Sequence, residues 1–92
     1  MTVTVKTYSP GALRPVALLE SGYLNRALHE IYSVNPHFID PQEASRHRLA
    51  ARQAYCIVRR QFPGTEFAAR AAKNLAELAE GRNVYAISHS SD

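Results

Sequence analysis

Residues 40 to 64 read Asp40-Pro41-Gln42-Glu43-Ala44-Ser45-Arg46-His47-Arg48-Leu49-Ala50-Ala51-Arg52-Gln53-Ala54-Tyr55-Cys56-Ile57-Val58-Arg59-Arg60-Gln61-Phe62-Pro63-Gly64. Both ends of this stretch are punctuated. Asp40 is an N-cap residue whose carboxylate can accept from the exposed backbone donors of a first helical turn. Pro41 needs no donor at the first helical position, and Glu43 stands where a capping-box carboxylate reaches back. Pro63-Gly64 stops the pattern. The spacing predicts a helix over 41–61 with Ala44, Ala51, Tyr55, Val58 and Phe62 on its core face.

Working outward, Asn35-Pro36 closes a preceding segment, because the residue before proline is pushed out of helical geometry. From Pro15 to Val34, Val16, Leu19, Tyr23, Ala27 and Ile31 recur at three- and four-residue steps, with Leu24 and Leu28 widening the stripe. That is a helical pattern, with Pro15 suited to its first turn. Ser21-Gly22 either divides it into two helices or kinks a single one. On the other side, Thr65-Glu66 opens a further helix with an apolar face of Phe67, Ala68, Ala71, Ala72, Leu75, Leu78 and Ala79, and Gly81 caps it.

The two ends read differently. Residues 2 to 8 alternate Thr-Val-Thr-Val-Lys-Thr-Tyr before Ser9-Pro10-Gly11, and residues 83 to 88 regain strand composition. The expected architecture is therefore α+β, a small single domain over residues 1–92. Three to four helices pack on a two-stranded sheet formed by the N- and C-terminal strands.

Composition bounds the function. A chain of 92 residues with 46% hydrophobic and 21% charged residues is globular. It has no apolar run approaching a membrane span and no leader-like N-terminus, so a cytoplasmic location is expected. Cys56 is the sole cysteine, which leaves no internal disulfide and, in mid-helix, reads as a small hydrophobe. His29, His37, His47 and His89 show no ligand spacing, so no metal is expected. The four glycines are isolated at element boundaries, the acidic residues are dispersed, and no nucleophile stands beside a base. The reading is of a protein without catalytic residues, cofactor or small-molecule substrate.

Charge distribution is more informative than its sum of +3. All basic residues but Lys6 and Lys73 are arginines, the planar forked cations suited to carboxylate and phosphate. Between Ser45 and Gln61 stand Arg46, Arg48, Arg52, Arg59 and Arg60 with no acidic residue among them. On a helix, Arg48, Arg52 and Arg59 fall within about 40° of each other, and Arg46 and Arg60 share the back within about 40°. Like charges four apart, as at Arg48 and Arg52, cost roughly 0.2–0.5 kcal/mol, so folding alone gives no reason for them. The bland reading is a solvated face whose stems cover apolar neighbours, or one neutralised by Glu20 and Glu30 of the preceding helix. The functional reading is a docking surface for negative groups. The following helix differs, because Glu66 with Arg70 and Lys73 with Glu77 are spaced for pairing. Tyr55 and Phe62 sit among the arginines, where core packing is favoured over stacking with a base.

Across its full span, from the MTVTVKTYS opening through the RHRLAARQAYCIVRR segment of residues 46–60 to the NVYAISHSSD finish, the chain resembles small phage-encoded anti-CRISPR proteins directed at the type I-F (Csy) surveillance complex. The resemblance implies a stoichiometric inhibitor that binds the RNA-guided complex in the host cytoplasm, without a cofactor, and stops target DNA from being recognised or paired. It assigns no residue roles. Several such inhibitors are acidic mimics of DNA, and a net positive chain is unsuited to that. The arginine helix would instead meet Cas protein subunits or guide RNA phosphates. The alternatives are a small nucleic-acid-binding regulator with residues 41–61 along a duplex groove, or an inhibitor of an acidic host protein.

Overall fold

The computed structural model describes residues 10–81, which form three helices: α1 (Pro10–Val34), α2 (Pro41–Gln61) and α3 (Glu66–Glu80). No strand occurs among the described residues, so the expected α+β class is corrected to an all-helical one. The segments read as strands, 2 to 8 and 83 to 88, lie outside the described residues. The physical reason for the correction is in the core. Leu19 of α1, Ala51, Tyr55 and Val58 of α2, and Ala71 and Leu78 of α3 bury one another, with Leu18, Phe62, Phe67 and Leu75 packed around them. Among the described residues the apolar faces of the three helices bury one another, so the core is built helix on helix.

Helix α2 is the centre of the arrangement. It packs along α1 and against α3, while α1 and α3 meet only sparsely. Of the core face its sequence implies, Ala44, Ala51, Tyr55 and Val58 are buried and Phe62 is partly so, and Ala54 is buried beside them. Tyr55 and Val58 are 1% and 0% exposed, and burying side chains of this kind stabilises a fold by roughly 1.5–3 kcal/mol each.

Helix α1 begins earlier than its apolar stripe suggests. Pro10 occupies the first helical position, where a missing N–H costs nothing, and Pro15 lies inside the helix with its ring fully buried. Pro10-Gly11, part of the Ser9-Pro10-Gly11 stretch read as the stop of a strand, thus supplies the first residues of α1. The helix also runs unbroken through Ser21-Gly22, which settles the choice between one helix and two. Gly22 neither ends nor caps a helix. A Cβ at that position would stand 2.6 Å from Cε1 and Cζ of Tyr55, so glycine is what lets the tyrosine ring lie against the α1 backbone.

The helix ends follow the sequence closely. Asp40 Oδ1 accepts from the backbone N–H groups of Gln42 and Glu43, both at 3.2 Å. Glu43 does not complete a capping box. Its carboxylate instead accepts from Arg46, while the Asp40 N–H donates to the Tyr32 carbonyl at 2.9 Å and locks the α1–α2 turn. Thr65 caps α3 through the Ala68 N–H at 3.2 Å, and Gly81 closes it in the left-handed conformation at φ 79°. At the far end of the α1–α2 pair, Arg14 Nε donates to Gln61 Oε1 at 3.1 Å, so the two helices run antiparallel.

Candidate functional site

The five arginines of α2 are brought onto the outside of the bundle by the same periodicity that buries Ala51, Tyr55 and Val58. Arg46, Arg52, Arg59 and Arg60 are exposed and Arg48 is half-buried. They are not equivalent. Arg46 Nη2 lies 2.9 Å from Glu43 Oε1, one turn back, an exposed pair of small worth. Arg48, Arg52, Arg59 and Arg60 have no carboxylate within ion-pair distance among the described residues. Glu20 and Glu30, the local counter-ions considered from sequence, do not reach them.

Position along the helix separates the four further. Arg59 and Arg60 stand in the last turn, where a cation meets the negative end of the helix dipole and gains about 0.3–1 kcal/mol. Folding therefore supplies a reason for those two. Arg48 and Arg52 are mid-helix, one turn apart, and gain nothing from the dipole while repelling each other. They are the residues for which the fold offers no intramolecular explanation.

One further arginine, Arg26 of α1, was not distinguished from sequence and is treated by the fold in the opposite way. It is 4% exposed, and its Nη1 donates to Asn74 Oδ1 at 2.6 Å and to Glu77 Oε1 at 3.1 Å. Tyr55 adds its hydroxyl, donating to the same Asn74 oxygen at 3.3 Å, and Asn74 Nδ2 donates to the Arg70 carbonyl at 2.9 Å. This buried network ties α1, α2 and α3 together where apolar contact between α1 and α3 is thin. Glu77 therefore serves Arg26 rather than Lys73, and Glu66 and Arg70 are not in ion-pair contact. Burial raises the Tyr55 pKa above its ordinary value, with the nearby Arg26 charge opposing that shift. The only sequence signal for the network was a charged residue at the edge of an apolar stripe, which spacing alone cannot tell from a solvated one.

The remaining candidates are placed plainly. Tyr55 is in the core and Phe62 packs against it, so neither offers a ring on the arginine face. His29 Nδ1 donates to the Ala44 carbonyl at 2.8 Å, and His47 donates to Asn25 Oδ1 at 2.8 Å while stacking on Tyr32 with ring centres 5.6 Å apart. Both histidines join α1 to α2. Among the described residues no group of three His, Cys, Asp or Glu could hold a metal ion, and no helix is long and apolar enough to cross a membrane. A groove of about 730 Å³ opens between α1 and α3, with Tyr55 and Asn74 among its lining residues and Glu20, Glu66 and Arg70 as its charges.

The fold and this surface together define a three-helix bundle, over the described residues, that presents guanidinium groups without internal counter-ions. Scans against protein-family models, curated proteins and solved structures find no significant match to the chain.

Proposed function

We propose that this chain is a non-catalytic binding protein whose α2 arginines dock on an anionic partner, and that the partner is the RNA-guided type I-F surveillance complex of the phage host. Bound there in the host cytoplasm, one copy occludes the surface on which target DNA is recognised or paired with the guide. No cofactor takes part.

The single observation behind the docking surface is that Arg48 and Arg52 have no carboxylate partner among the described residues and no dipole to neutralise, although the same fold fully matches Arg26. Desolvating a guanidinium is favourable only when a bidentate acceptor replaces its water. An external carboxylate or phosphate meets that need. The surveillance complex as the particular target rests on the sequence resemblance. The chain's +3 charge favours a wedge against acidic or phosphate surfaces over DNA mimicry.

The test is co-purification of the full chain with a reconstituted type I-F complex, followed by measurement of target DNA binding. The expected result is a stable co-complex that no longer retains target DNA. A complex that neither retains the protein nor loses DNA binding in its presence overturns the assignment. Retention by bare duplex DNA, with affinity falling steeply as salt rises, would replace it with a nucleic-acid-binding regulator.

A further inference from the structure

The outer face of α2 is not purely cationic. Leu49 is 53% exposed there. It follows Arg48 directly and lies one turn from Ser45, Arg46, Arg52 and Gln53, so guanidinium groups flank it along the helix. An isolated exposed leucine is ordinary. This one sits within the cluster of unmatched arginines, while Tyr55 and Val58 of α2 are committed to the core on the opposite side of the helix.

We infer that Leu49 is the apolar anchor of the docking surface and that its partner is an acidic protein surface: a shallow apolar pocket rimmed by Asp or Glu carboxylates. The inference rests on the docking reading above and deepens it by choosing protein over nucleic acid. An apolar centre ringed by arginines is the layout of a protein interface, in which water is excluded from a hydrophobic core and charged pairs form around it. A phosphate track has no use for the leucine. A single-stranded nucleic acid would call instead for exposed rings on which bases stack, and the aromatic residues of α2, Tyr55 and the capping Phe62, belong to the core. Charge complementarity sets the rim, because Arg48, Arg52 and Arg60 reach the partner without a carboxylate of their own among the described residues.

The test compares capture of the reconstituted type I-F complex by the wild-type chain, Leu49→Ser, Leu49→Met and the double variant Arg48→Glu/Arg52→Glu, each checked by its thermal melt. An exposed leucine can be changed without cost to the fold. Leu49→Ser should weaken capture by roughly ten-fold or more, the equivalent of re-exposing one leucine. Its salt dependence should match wild type, because no charge is lost, and Leu49→Met should restore capture. Wild-type capture by Leu49→Ser alongside loss in the arginine double variant would overturn the anchor while sparing the docking surface, and would point to guide RNA phosphates. Unchanged capture in both variants would overturn the docking surface and the anchor together, whereas a complex that captures none of the four chains would overturn the type I-F assignment on which the anchor rests.

Discussion

At the scale of single residues, the fold depends on three positions whose roles differ from their chemical first impressions. Gly22 in mid-helix would ordinarily favour replacement by alanine, a gain of about 0.5–1 kcal/mol in helix propensity. Here the new methyl meets the Tyr55 ring at 2.6 Å, and overpacking at a fully buried aromatic costs about 1–3 kcal/mol. The clash wins, so Gly22→Ala should lower the melting temperature; a raised one would mean that the ring has room to shift. Arg26→Ala should be costlier still, about 2–4 kcal/mol, because it leaves Asn74 and the part-buried Glu77 without their cation. Chemical denaturation reads that loss as a lower midpoint. The Tyr55 phenol, raised by burial, stabilises the fold fully below the unfolded tyrosine value of about 10, and that contribution disappears as pH rises through the folded value. A wild-type chain should thus lose stability at alkaline pH more steeply than Tyr55→Phe, and equal slopes would show that the phenol does not titrate late. Of these three, only the buried character of Tyr55 was legible in the sequence, through its place in the α2 stripe. The ring's approach to Gly22 and the pairing of Arg26 with Asn74 and Glu77 join residues far apart in the chain, and periodicity carries no information about such distances.

At the scale of elements, α2 is almost completely legible in the sequence, since its cap, its first-turn proline, its core face and its stop are all local signals. Thr65 and Gly81 delimit α3 for the same reason. The start of α1 was misplaced because two prolines compete for the first helical position, and the outer one takes it while the inner one is buried. The charge pattern of α2 was legible as a run of arginines. Which of them the fold satisfies is not, because Glu43 is spaced equally well for a capping box and for Arg46, and the fold pairs it with Arg46. Two variants separate the faces of this helix. Val58→Asp puts an unpaired carboxylate at a position with no exposure and should abolish cooperative unfolding. Exchanging Arg48 and Arg52 for Glu changes only side chains outside the core and should leave the melt within a few degrees of wild type. A folded Val58→Asp chain, seen as a sharp thermal transition, would mean the buried face has been misassigned.

At the scale of the whole molecule, the fold class was the reading that failed. Strand-like composition at the two ends suggests a sheet, yet among the described residues the core formed by Leu19, Ala51, Tyr55, Val58, Ala71 and Leu78 is built by three helices. Terminal segments of alternating composition carry no statement about whether a helical core needs them. What the whole molecule does present is a division of labour among arginines, with Arg26 matched inside and Arg48 and Arg52 unmatched outside among the described residues. The most direct measurement is capture of the reconstituted type I-F complex by the Arg48→Glu/Arg52→Glu chain, scored beside its thermal melt. An intact melt with capture abolished is the predicted result. Capture at wild-type strength by a folded double variant would contradict the claim that these guanidinium groups exist to meet another molecule.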